Sequence, residues 1–219
     1  FADKLRNCLF RIFNKFLFNG AVTTVWLTAA TMIIGIVVAL GIALCLVSHN
    51  PFLKAFGKFY VYVIRGTPLL VQLLILFTGL PQFGIRFSAL QSALISLSIN
   101  ESAYLAEILR AAIISVNKGQ YEAAKALGMP YGMMMRKIII PQTTKMIVPE
   151  LGNRINGMLK FSSIAATIGV MELLRRAQML IQYRFAVLEI YTIVSIYYLI
   201  MTSLWDKVQV RIERRFSMP

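Results

Sequence analysis

The chain has 219 residues, 58% of them hydrophobic, and carries a formal charge of +14. A soluble domain is about 45–50% apolar; the excess here gathers into runs with no Asp, Glu, Lys or Arg, between Lys15 and Lys54, between Arg65 and Arg86, and between Glu189 and Asp206. Each run supplies most or all of the ~20 apolar residues a spanning helix needs, so the basic charge reads as loops facing anionic headgroups rather than as a nucleic-acid surface, and the fold class is all-α integral membrane.

Phe1 to Asn19 reads as an amphipathic helix in the membrane interface. Leu5, Cys8, Leu9, Ile12, Phe13 and Phe16 follow the helical period, with Lys4, Arg11 and Lys15 opposite. Its mixture of bases and apolar residues is unlike a cleavable signal, and Asn19-Gly20 marks a break. The first span covers about residues 21–48, where Gly35, Gly41 and several alanines suit close helix packing. His49-Asn50-Pro51 ends it, and His49 is a loop residue. Cys8 and Cys45 have neither metal nor disulfide spacing.

The second span, about 60–80, contains Arg65-Gly66-Thr67-Pro68-Leu69-Leu70-Val71-Gln72. Pro68 should kink it and free carbonyls near Ile64. The third, about 88–116, holds Glu101, Glu107 and Arg110. Charges at membrane depth are costly and face the interior, and Glu107 and Arg110 share a helical face as a structural ion pair. A polar interruption from Lys118 to Gln142 follows. It reads as a two-turn helix over 120–127 with Glu122 in its first turn, a left-handed Gly128 cap, a block at Pro130, and a second amphipathic piece before Pro141. Such a helix is too short to be stable alone; Ala123, Ala124 and Ala126 leave room for a partner's backbone.

The fourth span, about 146–170, carries Glu150, Asn153, Arg154, Asn156 and Lys160 and should line something wet. Arg154 either faces a substrate carboxylate or amide beside Asn153, or pairs with Glu150 one turn earlier; the sequence leaves both open. An amphipathic connector over 171–183 precedes the fifth span, about 185–204, and a tail with Lys207, Arg211, Arg214 and Arg215. The domains are thus an interfacial helix at 1–19, a membrane domain at 20–206 and a basic tail at 207–219. With the N-terminus outside, eleven Lys and Arg fall on inside segments against eight outside, which favours that orientation narrowly. The side of the N-terminal helix stays open.

Three strings carry a resemblance. Glu122-Ala123-Ala124, Gly128 and Pro141 resemble the EAA loop (here 117–142) of bacterial ABC importer permeases. The segment with Asn100, Ala103-Tyr104, Glu107 and Arg110 resembles the same family's stretch leading into that loop, and the Arg65-to-Gln72 string is similar to its polar amino-acid uptake branch (glutamine-, histidine- or arginine-type). That resemblance implies a type I permease with five transmembrane helices and a cytoplasmic coupling helix, in a bacterial inner membrane. It implies a second permease chain, identical or homologous, two ATPase subunits docking on Glu122, Ala123, Ala124 and Gly128, and an external substrate-binding protein. It also implies that the fourth span lines the translocation path, and Gly66, Thr67, Pro68, Asn100, Asn153 and Arg154 are the candidates for that path. Relatives that carry basic amino acids show Gly-Asn-Glu and then Lys-Asp-Ser/Thr-Ser; here stand Gly152-Asn153-Arg154 and Lys160-Phe161-Ser162-Ser163. The exchange favours a glutamine-like or acidic substrate over a basic one. No phosphate-cradling loop, catalytic triad or metal cluster is present in the sequence. The chain is therefore expected to be no enzyme and to bind no cofactor, with ATP and Mg on the ATPase. Two rivals remain: a gradient-driven transporter or channel with Glu101, Glu107 and Glu150 as proton relays, and a non-transporting scaffold.

Overall fold

The computed structural model describes residues 15–217, and among them every regular element is helical. Helix α1, Lys15–Val47, has 33 residues. At 1.5 Å per residue it is ~50 Å long, longer than the ~30 Å hydrocarbon layer. It runs straight through Asn19-Gly20, where a break was expected. A Cβ on Gly20 would lie 2.9 Å from the Cα of Leu173, so this glycine admits a crossing backbone rather than making a turn. A Cβ on Gly41, assigned to close packing from the sequence, would meet nothing within 4 Å. The rest of the expected interfacial helix, residues 1–14, lies outside the described residues.

Helix α2, Pro51–Gly66, begins earlier than the sequence suggested, because Asn50 caps it. Its Oδ1 accepts from Phe52 N at 2.9 Å, and Pro51 occupies the first turn, where a missing N–H costs nothing. Pro68 does more than kink the second span: Thr67 is extended (φ −115°, ψ 142°) and Pro68 likewise, and a new helix, α3 (Leu69–Leu74), starts after them. The proline ring pushes the preceding residue out of the helical region. A π turn (Ile75–Gly79) and a 3-10 turn (Leu80–Phe83) complete that segment.

Helix α4 is Ala89–Ser115 and α5 is Lys118–Ala126. Helix α6, Tyr131–Met134, passes through a π turn (Met135–Ile139) into α7, Ile140–Phe161, and a 3-10 turn (Ser162–Ile168). The helical path thus starts at Tyr131 rather than near Met146, and Pro141 does not stop it. The wider π turn lies directly ahead of Pro141, whose ring crowds the carbonyl four residues back. Helix α8 is Leu173–Arg184 and α9 is Val187–Ser217, so the expected start of a tail at 207 falls inside a helix.

By length and composition, α1 and α9 can each cross a membrane; so can two interrupted pairs, Pro51–Gly66 with Leu69–Phe83 and Tyr131–Ile168 with Leu173–Tyr183. Helix α4 is long enough at 27 residues but carries three charges, Glu101, Glu107 and Arg110.

The described residues form two compact units: 15–32, 68–98 and 155–205 in the first, and 33–67, 99–154 and 206–217 in the second. In the first, Leu17 and Ala21 pack with Leu173, Ala177, Ile190 and Val194. Glu172 is fully buried there. Its carboxylate accepts from the Thr24 hydroxyl (3.3 Å), the Tyr198 hydroxyl (3.1 Å) and Arg175 N (2.7 Å), while Thr24 Oγ1 accepts from Leu173 N (3.2 Å). In the second, Val116, Ala124, Met134 and Ile139 form a smaller core. A Cβ on Gly57 of α2 would sit 3.2 Å from the side chains of Cys45 and Leu46, so these helices meet closely.

Candidate docking helix and path residues

Helix α5 is built by its two ends. Asn117 caps its start, accepting from Gly119 N at 2.8 Å, and a Schellman motif closes its end. Gly128 N donates to Lys125 O (2.9 Å), and Met129 N donates to Ala124 O (3.1 Å). Gly128 has φ +70°, the left-handed region that a side chain resists. Because the cap is Asn117, Glu122 is the fifth residue of the helix and lies beyond its first turn, correcting the dipole placement read from the sequence.

The three alanines divide. Ala124 is 1% exposed and packs into the core with Val116, Met134 and Ile139, so its methyl holds the helix onto its own chain. Glu122, Ala123, Ala126 and Gly128 are exposed, as are Leu127 and Tyr131, at 80% and 69%. Tyr121, half-buried, donates its hydroxyl to Ile113 O at 3.2 Å, and burial raises its phenol above the ordinary value. The result is a short helix with one methyl inward and an acid, small residues and a large apolar side chain outward.

The path candidates belong to other elements. Arg154 of α7 does not pair with Glu150, which is exposed. It pairs with Glu101 of α4, a bidentate contact of Nε to Oε1 at 2.7 Å and Nη2 to Oε2 at 2.5 Å. Glu101 is wholly buried; the Arg154 side chain is 23% exposed. Arg154 also stacks over the Tyr104 ring at 4.4 Å, and Arg65 lies over the same ring at 5.0 Å. Glu101, Tyr104, Arg154 and Arg65 thus form one cluster. Glu107 and Arg110 are ion-paired, with Arg110 Nε to Glu107 Oε2 at 2.9 Å.

Of the remaining path candidates, Asn100 is 8% exposed, whereas Gly66, Thr67 and Pro68 are exposed. Asn153 is exposed and accepts from Gln209 Nε2 of α9 at 3.3 Å. Sequence reasoning overlooked the Glu101–Arg154 pair and the cap at Asn117. The signal for the first was the rule that a buried charge needs a partner; for the second, an Asn immediately before a polar helix.

Among the described residues there is no group of three or more His, Cys, Asp or Glu that could hold a metal ion. Membrane-length helices, a buried cross-helix ion pair and a capped polar helix turned outward define a membrane-embedded helical protein. The chain belongs to the family of binding-protein-dependent transport system inner membrane components, whose model matches residues 31–218. It is 40% identical over 173 residues to the putative glutamine transport system permease protein GlnP of Rickettsia felis, covering 78% of this chain and 79% of that one. It is 36% identical to the arginine transport system permease protein ArtQ of Bacillus subtilis, covering 92% and 93%. Among solved structures it is similar to an amino acid ABC transporter crystallised with histidines, at TM-score 0.88 and 42% identity over 93% of this chain and 95% of that one. The MetNI methionine ABC transporter, 19% identical at TM-score 0.79 over 93% and 97%, shares the fold. That fold is the type I ABC importer permease.

Proposed function

We propose that this chain is the membrane-spanning permease subunit of an ABC importer for polar amino acids, with an uncharged, glutamine-like substrate favoured over a basic one. The observation that carries the substrate reading is the Glu101–Arg154 pair. The names of the relatives do not decide it, since one is a glutamine permease and another an arginine permease. A bidentate Arg–carboxylate pair is charge-neutral and satisfies both partners, so Glu101 is not free to attract a cationic side chain, and the neighbouring Arg65 leaves the cluster basic.

Five spans per chain, in a bacterial inner membrane, pair with a second permease chain. Two ATPase subunits dock on α5 through Glu122, Ala123 and the turn at Gly128, with Ala124 supporting the helix from beneath. An external binding protein delivers the substrate, and closure of the ATPase pair drives alternating access. ATP and Mg belong to the ATPase.

The test is ATPase activity of the complex in liposomes, with the binding protein loaded with one amino acid at a time. Stimulation by a glutamine-like load is expected. Stimulation by arginine alone overturns the substrate class, and uptake without an associated ATPase returns the gradient-driven rival. Gly128→Asp places a charge and a Cβ at a left-handed position on the docking face. It should leave the chain inserted and abolish coupled uptake; normal ATP-driven uptake by this variant would remove α5 from the coupling role.

A further inference from the structure

Within the second unit lies a cleft of about 1220 Å³ beside α5 that the transport reading leaves unused. Its polar rim carries six cations, Lys54, Lys58, Arg65, Arg110, Lys118 and Lys125, against one acid, Glu107. Glu107 is already committed to Arg110. Among the described residues no carboxylate comes within ion-pair distance of Lys54, Lys58, Lys118 or Lys125. Four like-charged ammonium groups around one opening repel one another, and an anion there relieves that cost.

The walls decide what kind of anion. Leu44, Val61, Ile113 and Ile114 also line the cleft. On α2, Phe59 is 67% exposed and Tyr62, which lines the cleft, 79%. A free phosphate has no use for apolar walls. An amphiphile does: its charged head meets the lysines and its chains lie along the aliphatic side, with Tyr at the interface level where such rings collect. The cleft also exceeds the ~300–1000 Å³ of an ordinary small-molecule pocket. Basic pockets between membrane helices take anionic lipid heads.

We propose that this cleft binds the head of an anionic phospholipid, with Lys54 and Lys58 of α2 on one side and Lys118 and Lys125 of α5 on the other. A lipid seated there bridges the amphipathic helix α2 and the docking helix α5.

The experiment uses the purified complex in a neutral detergent and a tail-labelled phosphatidylglycerol, read by fluorescence anisotropy. Tail-labelled phosphatidylcholine and inorganic phosphate are the comparison probes. Phosphatidylglycerol should bind in preference to phosphatidylcholine, and millimolar phosphate should displace it poorly. Lys54→Gln/Lys58→Gln should raise its apparent Kd by roughly thirtyfold, the loss expected for two basic side chains near an anionic surface. Lys54→Arg/Lys58→Arg should restore it. Arg86→Gln/Lys145→Gln, with the same change in net charge outside the cleft, should bind as the unaltered chain does.

Equal affinity for both lipids, or an unchanged Kd in Lys54→Gln/Lys58→Gln, overturns the site. An equal loss in Arg86→Gln/Lys145→Gln reduces it to overall charge, and full displacement by phosphate replaces the lipid with a free anion; either result overturns the proposal. Gel filtration of each variant separates lost binding from lost assembly. The complex used here rests on the importer reading, but the readout needs neither turnover nor an amino acid, so failure to bind lipid and failure to transport are told apart.

Discussion

Each unit of this chain buries a carboxylate completely, and the two are held in different ways. Glu101 of the second unit meets a full opposite charge, the guanidinium of Arg154. Among the described residues, Glu172 of the first meets no cationic side chain within hydrogen-bond distance; two hydroxyls and the backbone N–H groups at the start of α8 hold it. The charged solution ties two helices, α4 and α7, through a single partner. The neutral one ties α1, the start of α8 and α9 through several weaker bonds. Losing the one partner of Glu101 should therefore be severe, whereas losing Glu172 should be spread over three elements.

Substitution turns that contrast into measurable differences. The largest effect is expected from Arg154→Ala, which strands Glu101 in the interior. Breaking a buried pair from one side costs about 3–5 kcal/mol, read as a fall in unfolding stability in detergent. The double variant Glu101→Leu/Arg154→Met should recover most of it, and a double variant as unstable as the single one would show that packing, not charge, holds the site. Next is Glu172→Ala. It removes the cap of α8 and leaves the Thr24 and Tyr198 hydroxyls without their acceptor, a loss of about 2–3 kcal/mol. Glu172→Gln, which keeps one acceptor oxygen, should cost clearly less. The smallest is Glu107→Gln. Both partners of that pair are about a third exposed, so solvent screens them and the change should stay under ~1 kcal/mol. A loss as large as that of Arg154→Ala would erase the distinction between buried and half-exposed pairs.

The parts of the chain legible in the sequence were those governed by local rules. Uncharged runs announced α1 and α9, and Gly128 with Pro130 announced the end of α5. Glu107 and Arg110 sit three apart on one helix, within reach of a periodicity argument. Glu101 and Arg154 do not: they lie 53 positions apart, and the nearest acid by helical spacing, Glu150, proved the wrong partner. The prolines misled for a related reason. Pro68 and Pro141 look alike as letters, yet one ends a helix and the other follows a π turn that absorbs it. That difference depends on whether the preceding turn can widen, which composition does not encode. Glu172 was passed over because Glu is not among the preferred N-cap residues, and its two hydroxyl partners come from distant helices.

The anchoring of α5 has a mechanical consequence. Nine residues long, the helix is fixed to its own chain by one buried methyl, one half-buried tyrosine ring and the turns at Asn117 and Gly128. So small a footprint resists sliding but offers little resistance to tilting. A partner gripping its outer face would be expected to tilt the helix more readily than slide it. A push along its axis would instead pass through Asn117 into α4 and through Gly128 toward α6, so thrust would be transmitted while misalignment is forgiven.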